Sequence, residues 1–385
     1  VNLERFSAVN NRLTFLPLTF GHLKHLTHLD LSGNDMVTPP QEVCSAGAQQ
    51  VVRFLSNILN ADRTLVIDLK SMSLTSIPKI VLERVQITSL DLSTNRIAEL
   101  PRSLLGLTCL KELIMDDNEL RELPSDLGLL RNLVSLSLRK NALASLPPSV
   151  SAFEKLSVLN VEDNQIRELP PELGAVISLH DVRVRGNPLV VPPAEVVKRG
   201  VKNFLNYLRR IFDLQQHDIC DISESGLEDP KLPEYILRQS SLKSLQLHHN
   251  SLRTLDISLT ALSNLTLVNL DHNHLVDVPE CIFFLLSLET LRVAHNELRE
   301  IDSAISRLTG LKLLSLDENR TLEFLPPSLG LLTSLEQCEV KNCPLRSPPI
   351  SVVHLGTQKL LKYLLTVHSS QQSGDLCLDG VDMFF

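Results

Sequence analysis

Residues 87–109 read ITSLDLSTNRIAELPRSLLGLTC, and residues 110–132 read LKELIMDDNELRELPSDLGLLRN. The two stretches are equal in length, and they place leucine, asparagine and proline at the same positions, as Asn95 and Asn118 show. Both open with the motif LxxLxLxxNxL. Because a fixed period of this length is the signature of a stacked-repeat architecture, this 23-residue unit decides the fold.

The same unit extends over most of the 385 residues. The step between units stays constant throughout 64–179 and again throughout 242–311, a register that accidental leucine richness would not keep. The motif begins fourteen times, at Leu3, Leu26, Thr64, Ile87, Leu110, Leu133, Leu156, Leu179, His217, Leu242, Leu265, Leu288, Leu311 and Leu335.

Each unit alternates apolar and polar residues around its central LxL, the pattern of a short strand with one buried face. Leu90 and Leu92 are predicted to point inward, and Asp91 outward. The following asparagine, present in eleven of the fourteen units, can satisfy backbone groups in the turn. The LPxxLGxL half is too short for more than one helical turn. Stacking then buries the inward leucines, among them Leu113, Leu159, Leu245 and Leu291.

The predicted fold is therefore α/β, a leucine-rich-repeat solenoid or horseshoe. One continuous parallel sheet would line the concave face, with short convex turns and three inserted convex helices. We expect a single domain over 1–385, with blocks 1–63, 64–216 and 217–372. Residues 373–385, with Leu376 and Leu378 in strand register, would start a further repeat or form a cap, so the chain is expected to be a fragment of a longer array or to end on its own cap.

Three insertions carry the predicted helices, over 42–59, 195–212 and 351–367. Each follows a pair of prolines, and the first two account for the longer steps from Leu26 to Thr64 and from Leu179 to His217. In the second insertion an apolar stripe at helical spacing predicts an amphipathic helix, and it consists of Val196, Phe204, Tyr207, Leu208 and Ile211. Gly47, Gly200 and Gly356 share one position, which predicts a close approach of the helix backbone to a bulky neighbour. The helices either pack on the solenoid core or detach to bind a partner.

The 23-residue units with LPxxLGxL resemble the Ras-suppressor and Scribble type of intracellular leucine-rich-repeat proteins. The resemblance covers nearly the whole chain and implies a protein-interaction role in the cytosol or nucleus. The chain departs from the asparagine pattern at Met72, Ser225 and Cys343. Junctions at Met72 and Ser225 should be the least stable points, and asparagine there should stabilise if the backbone follows the standard turn.

Composition restricts the classes of partner. The formal net charge is -8, which gives no broad positive field to attract nucleic acid or anionic membranes. The longest apolar run, 281–286, is too short to cross a bilayer. Seven scattered cysteines, without clustered terminal pairs, favour a reducing compartment. We expect a monomer that binds protein partners, with no nucleic acid and no membrane, in the cytoplasm or the nucleus.

The sequence has no phosphate loop, nucleophile elbow, zinc-protease helix or paired-cysteine metal spacing. We therefore expect no enzyme activity, no catalytic residue, no cofactor and no resident metal.

The expected concave positions carry the candidate binding residues. Asp116, Arg139, Glu162 and Arg185 lie on four consecutive strands and alternate in sign, and this set is called the charged column. It is either a self-neutralising ladder of cross-strand pairs or a docking stripe extended by neighbouring charges. The concave positions carry no tryptophan, tyrosine or phenylalanine, so a partner would bind through polar and charged contacts.

His249, His272 and His295 directly precede the repeat asparagine on consecutive units, and Glu318 follows at the same position. We call the three histidines the histidine column. They are solvated copies made by duplication, a pH-sensitive binding element, or zinc ligands together with Asp271 or Glu318. The full set of candidate partner-binding residues is Asp116, Arg139, Glu162, Asp181, Arg183, Arg185, His249, Asp271, His272, Arg292, His295 and Glu318.

Two functions compete. The first is a non-enzymatic protein-binding scaffold or adaptor in signalling, with the partner held on the concave face. The alternative is the recognition arm of a larger signalling enzyme, a GTPase or phosphatase, whose catalytic part lies outside this chain.

Overall fold

The computed structural model describes residues 2–214, 217–228 and 230–373. The chain forms two compact units, Val1–Pro192 and Pro193–Phe385. The boundary falls inside the second insertion, whereas the sequence placed a block boundary after residue 216. The helix pair of that insertion contacts the strand that follows it, so it belongs with the later repeats. That residues 1–385 act as a single domain stays a prediction.

The first unit holds two parallel sheets in sequential strand order, one of two strands and one of six. Paired residues in the six-stranded sheet occupy equivalent positions of consecutive repeats, as Leu90 opposite Leu113 shows, so the register equals the sequence period. The strands are β1 (Arg5–Ser7), β2 (His28–Asp30), β3 (Val66–Asp68), β4 (Ser89–Asp91), β5 (Glu112–Ile114), β6 (Ser135–Ser137), β7 (Val158–Asn160) and β8 (Asp181–Arg183).

The second unit holds one parallel sheet of six strands, again in sequential order. Its central pairs, such as Val268 opposite Leu291, keep the same register of one repeat per strand. The strands are β9 (Ile219–Asp221), β10 (Ser244–Gln246), β11 (Leu267–Asn269), β12 (Thr290–Arg292), β13 (Leu313–Ser315) and β14 (Gln337–Glu339).

The expectation of one continuous sheet is wrong, because the strands form separate sheets of two, six and six. In the first unit the break lies between β2 and β3, where the chain forms a helix instead of the next coil. That helix contacts β3, and its Asn57 Nδ2 donates to the carbonyl oxygen of Asp68 at 2.6 Å. A helix lying against a strand occupies the place where a neighbouring strand would pair.

Short 3-10 helices form the opposite side of the repeats, as the LPxxLGxL half predicted. Most begin at or just after the proline of that motif, which fits the fixed φ of proline at a helix start. We call this the turn side. Its 3-10 helices are Leu18–His22, Arg102–Gly106, Leu127–Leu129, Pro148–Ala152, Pro171–Ala175, Ile257–Ala261, Glu280–Phe284, Ser303–Arg307 and Pro327–Leu331.

All three insertions are helical, but each is a pair of helices rather than one. Each insertion contains two consecutive prolines. The peptide bond before the first of them is cis, at Thr38–Pro39, Val191–Pro192 and Ser347–Pro348. In both six-strand sheets a short α-helix also follows the first strand. The helices are α1 (Gln41–Ser45), α2 (Ala48–Thr64), α3 (Lys79–Leu82), α4 (Ala194–Lys198), α5 (Val201–Asp213), α6 (Glu234–Leu237), α7 (Ile350–Val353) and α8 (Thr357–Ser373).

The shared glycines break these helices, and the prediction of a close approach there is wrong. Gly47, Gly200 and Gly356 have φ of 102°, 97° and 91°, a region that L side chains rarely adopt. A Cβ at any of the three would meet nothing within 4 Å. Glycine is needed there for its backbone conformation, between the two helices of each pair.

The close approaches occur instead on the turn side. A Cβ on Gly21 would lie 2.5 Å from the backbone nitrogen of Ser56 in α2. A Cβ on Gly330 would overlap the backbone nitrogen of Leu365 in α8. These two glycines let α2 and α8 pack directly on the 3-10 helices at the same positions of their repeats.

The core of each unit is built from the inward leucines, as predicted. Leu113, Leu245 and Leu291 are fully buried, and Leu159 is 2% exposed. Asp91 remains partly exposed on the other face of its strand. We call that outward side the strand face.

Three further observations concern the whole of the described chain. Within 2–214, 217–228 and 230–373, no helix is both long and apolar enough to cross a membrane. The six cysteines in this part are free thiols. The predicted strand position of Leu376 and Leu378 lies outside the described residues.

Candidate functional site

The residue before each repeat asparagine adopts a left-handed backbone conformation, a feature that the sequence did not reveal. The φ angle at this position lies between 52° and 74° in every repeat. Most of these residues are not glycine, so the turn imposes the conformation on ordinary side chains. The fourteen are Asn10, Gly33, Ser71, Thr94, Asp117, Lys140, Asp163, Gly186, Glu224, His249, His272, His295, Glu318 and Asn342.

The repeat asparagines bind neighbouring turns together. Asn296 Nδ2 donates to the carbonyl oxygens of Leu270, in the preceding repeat, and of Val293 in its own, at 3.0 and 3.1 Å. Its Oδ1 accepts from the backbone nitrogen of Leu275 at 3.0 Å. These bonds hold the left-handed residues of consecutive repeats in one line, so their side chains lie side by side.

In the first unit, the charged column only partly neutralises itself. Asp116 Oδ1 accepts from the Ser137 hydroxyl at 2.6 Å and from the backbone nitrogen of Arg139 at 2.8 Å. The side chain of Arg139 turns the other way, to Asp163 Oδ2 at 3.1 Å, with Glu162 Oε2 at 3.9 Å. The predicted pairing of alternating charges is thus realised between Arg139 and Glu162, while Asp116 fixes the backbone.

Arg185 ends this column with an exposed guanidinium. Among the residues that the structure describes, it has no ion pair and no side-chain hydrogen bond. Its neighbour Arg183 is already engaged, since Arg183 Nη2 lies 2.8 Å from Asp181 Oδ2 on the same strand. That carboxylate raises the pKa of the Arg183 guanidinium, first through the hydrogen bond and then through its charge. Arg185 is therefore a cation of this face that a partner carboxylate can reach without displacing another.

In the second unit, Asp271 is buried and both of its carboxylate oxygens accept hydrogen bonds. Its Oδ2 accepts from Arg292 Nε at 2.8 Å, and its Oδ1 accepts from the backbone nitrogen of Ala294 at 2.7 Å. Asp271 thus repeats the role of Asp116, fixing the backbone of the next repeat. Its predicted availability to a partner is not supported, because both carboxylate oxygens are bonded inside the protein.

The histidine column is a stack. The ring centroids of His249 and His272 are 4.1 Å apart with planes at 11°, and those of His272 and His295 are 4.0 Å apart with planes at 12°. His248 meets His249 edge to face at 5.6 Å. The three stacked residues are exposed, and their ring nitrogens have no hydrogen-bond partner within the described part of the chain.

Neighbouring groups affect how this column binds protons. Partial burial lowers the pKa of His272, and the charges of His295 and His249 lower it further. The pKa of Glu318 is lowered by the amide of Asn342 and by Arg320, which both bond its carboxylate. The column therefore ends beside a carboxylate that is already paired.

The zinc alternative finds no support in this geometry. Among the residues described, no group of three or more histidine, cysteine, aspartate or glutamate side chains is placed to hold a metal ion. Rings stacked face to face direct their nitrogens side by side, whereas zinc needs four donors converging on one point.

The twelve predicted residues thus fall into two sets of six. The first unit carries Asp116, Arg139, Glu162, Asp181, Arg183 and Arg185, and the second carries His249, Asp271, His272, Arg292, His295 and Glu318. Asp181, Arg183 and Arg292 lie on strands, while the others lie in the turns that follow. The histidine column is therefore at the end of the strands rather than on the strand face, which corrects its expected concave position.

Sequence reasoning missed an aromatic cleft in the second unit. This cleft has a volume of about 570 Å³ and is lined in part by Val278, Phe283 and Phe284. Arg307 lies over the half-exposed ring of Phe284, 5.2 Å from its centroid. These rings belong to the 3-10 helix Glu280–Phe284 on the turn side, outside the strand positions at which binding residues were predicted.

Part of the chain matches a known protein family. Residues 263–321 match the family model described as leucine rich repeat. A 74-residue stretch is 35% identical to part of an adenylate cyclase of the fission yeast Schizosaccharomyces pombe, covering 19% of this chain and 4% of the cyclase. The chain therefore spans only a small fraction of that relative.

Solved structures with similar repeats include a leucine-rich-repeat protein of Leptospira interrogans. It is 21% identical, with 94% of this chain and 81% of that protein covered at a TM-score of 0.35. The ectodomain of the Arabidopsis receptor kinase HAESA, solved with a peptide hormone, is 24% identical, with 88% and 53% covered at a TM-score of 0.34.

Proposed function

We propose that this chain, a leucine-rich-repeat protein that folds as a solenoid of parallel sheets and helices, is a non-enzymatic scaffold that binds protein partners. The observation that carries the proposal is the exposed Arg185, which has no bonding partner among the described residues. It stands at the end of the charged column, whose other members, Asp116, Arg139 and Glu162, already have partners within the protein. A partner with a carboxylate opposite Arg185 would complete the column.

The rest of the charged column supports a polar mode of binding. Asp116 is held in place by two hydrogen bonds, and Glu162 lies 3.9 Å from Arg139, so both charges are placed by contacts within the protein. Fixed charges of both signs favour specificity and orientation more than raw affinity. The expected partner is therefore a folded surface or extended segment of complementary charge.

Affinity capture from native lysate tests this function with three proteins. The unchanged protein and Arg131→Glu, altered on the turn side where Arg131 pairs with Glu154 at 3.2 Å, should retain the same partners. The double variant Arg139→Glu and Arg185→Glu should lose at least one of them. If the double variant keeps every partner of the control, the charged column of the first unit does not bind them.

The resemblance to the Ras-suppressor and Scribble type, and most closely to leucine-rich repeat-containing protein forty, adds a location to the proposal. A cytosolic or nuclear scaffold fits the free thiols of the described cysteines, which a reducing compartment preserves. Fractionation of cells that express the tagged full-length protein tests this. Recovery in the secreted fraction would contradict it.

A second candidate is that the chain is the recognition arm of a larger signalling enzyme. The similarity to a short part of an adenylate cyclase favours it, because the matched 74 residues there make up 4% of a much longer enzyme. Sequencing the full-length transcript separates the candidates. A catalytic domain in the same reading frame would establish the second and exclude the simple scaffold.

A further inference from the structure

We propose that the histidine column, His249, His272 and His295, is a binding site for a carboxylate-rich peptide segment, and that it takes up protons as the segment binds. The affinity then rises as the pH falls. This inference deepens the proposed function, on which it rests, by naming a ligand class and a condition for one surface.

The backbone fixes the column before any ligand arrives. The backbone nitrogens of His249, His272 and His295 donate to carbonyl oxygens of the next repeat, at 2.9, 2.9 and 2.8 Å. Together with the left-handed φ at each histidine, these bonds hold the three rings in one stack. A preorganised row loses little conformational entropy on binding.

The ring nitrogens are available to a ligand. None of the six has a hydrogen-bond partner among the described residues, and all three side chains are exposed. His248 differs, since its Nδ1 lies 3.3 Å from Asn269 Nδ2. The stack therefore offers a continuous edge of donors and acceptors to the solvent.

The protein's own carboxylates do not compete strongly for these rings. Asp271 is bonded by Arg292 and by a backbone nitrogen, and Glu318 is bonded by Arg320 and Asn342. The charges that face the column are Asp271 beside His272, Glu318 beside His295 and Glu224, which holds the same turn position in the repeat before His249. Among the described residues Glu224 forms no ion pair with His249, while His248 lies against His249 and Asp221 lies near His248. Positive charge on the rings is thus left for a ligand from outside.

The spacing suits an extended acidic segment. The three rings span about 8 Å, given centroid separations of 4.1 and 4.0 Å. In an extended chain, side chains two residues apart point to the same side at ~6.8 Å. Two such carboxylates therefore come close to the spacing of the outer rings, His249 and His295, with His272 between them.

Proton uptake follows from the stacking. Two imidazolium rings about 4 Å apart repel each other, so the free column resists full protonation. The pKa of His272 is lowered first by partial burial and then by the charges of His295 and His249, and the second cause is this repulsion. Carboxylates bound along the edge of the stack offset the repulsion and raise the pKa values of the rings, so binding draws protons from solution.

The test uses an eight-residue peptide in which glutamate alternates with serine, blocked at both ends, and a matched peptide with glutamine in place of glutamate. Calorimetry on the full chain measures both between pH 7.5 and 5.5. The glutamate peptide should bind at least tenfold more tightly at pH 5.5, since each proton taken up contributes up to ~10-fold per pH unit. The glutamine peptide should show no such gain.

The variant His249→Asn, His272→Asn and His295→Asn removes the rings while keeping a residue that tolerates the left-handed turn. Its matched control is His274→Asn, in the same unit but outside the column, where His274 pairs with Glu297 at 2.9 Å. Circular dichroism first establishes that both variants fold. The triple variant should lose the pH-dependent gain, and the control should keep it.

Equal binding of the two peptides at pH 5.5, or a gain that survives in the triple variant, would overturn the inference. Either result leaves the proposed scaffold function standing if the capture experiment still depends on Arg139 and Arg185. A loss of capture by the Arg139 and Arg185 variant says nothing about the histidines, which lie in the other unit.

Discussion

Asn95 Oδ1 accepts a hydrogen bond from the backbone nitrogen of Met72 at 3.0 Å, across the gap between two repeats. Met72 occupies the asparagine position of its own repeat. Its backbone is hydrogen-bonded by the asparagine of the next repeat, but its side chain has no amide to bond the preceding turn. Ser71 and Ser73, on either side of it, both have positive φ, whereas a regular repeat has one such residue before its asparagine. The turn at this junction is therefore not the standard turn.

Replacing Met72 with asparagine should destabilise the protein by ~2–4 kcal/mol, because a buried amide that lacks its partners in the preceding repeat loses its bonds to water. The side chain at this position is buried. Strand β2 is not paired with β3, so no carbonyl oxygen of the preceding repeat is in place to accept a hydrogen bond from the new amide. Urea unfolding measures the change. Increased stability would contradict this reasoning and restore the expectation from the sequence.

Cys343→Asn should do the opposite and stabilise by ~1 kcal/mol, the typical net gain from a hydrogen bond. Here β13 and β14 pair, and the Cys343 thiol already donates to the carbonyl oxygen of Leu316 at 3.2 Å, as an asparagine amide would. Burial raises the pKa of this thiol to about 11, so it is a neutral, weak donor. The same urea experiment gives the comparison, and a loss of stability as large as that of Met72→Asn would refute the distinction.

Asn296→Ala should cost ~2–4 kcal/mol, because it leaves buried backbone groups of two repeats without partners. Asn264→Ala is the control in the same unit: this exposed side chain makes one bond, to the carbonyl oxygen of Ser240 at 2.7 Å. The control should cost less than ~1 kcal/mol. Similar losses for both variants would show that the buried asparagines do not bind the repeats together.

Gly200→Ala and Gly330→Ala test two different reasons for glycine, a positive φ at Gly200 and a close backbone contact at Gly330. At Gly200 a Cβ has open space, so the cost is that of a φ of 97° and a ψ of 167°, of order ~1–3 kcal/mol. At Gly330 a Cβ would overlap the backbone of α8, so the helix must move and the loss should be larger. Thermal unfolding ranks the two, and a smaller loss for Gly330→Ala would contradict the close packing of α8.

The pH dependence of stability should include a contribution from His272. Its pKa is lowered in the folded protein, so the fold favours the neutral ring. This stabilisation is present above the unfolded pKa of about 6.5 and is lost as the pH falls through the folded pKa. The melting temperature of His272→Asn should therefore fall less between pH 7.5 and 5 than that of the unchanged protein. Parallel curves would exclude the effect.

The sequence predicted the repeat register because its constant period determines which leucines stack, as Leu90 and Leu113 do. It could not predict the division into separate sheets, because the strand pattern on both sides of an insertion is the same whether or not the strands pair. It also missed the helix breaks. The apolar stripe from Val196 to Phe204 continues in register across Gly200, so periodicity carries no sign of the change in φ.

The candidate site was predicted in composition but not in detail. Alternating charges at four positions suggested pairs along the column, whereas Arg139 reaches Asp163 more closely than Glu162. Asp163 lies in the left-handed position of its turn, and residue type alone does not reveal that conformation at an aspartate, lysine or histidine. The stacking of the histidines, in contrast, followed from their shared position in consecutive repeats.

The helix pairs also bear on how such a chain evolves. In two of them an aromatic residue, Phe54 or Tyr207, is buried twelve positions before the strand that begins the next block, at Val66 or Ile219. Each block therefore carries its own starting helices at a constant spacing. Six strands with their helix pair therefore form one unit that gene duplication can add or remove in a single step. The hydrogen bonds between asparagines and neighbouring turns lie inside each unit, so they are kept when a unit is added or removed.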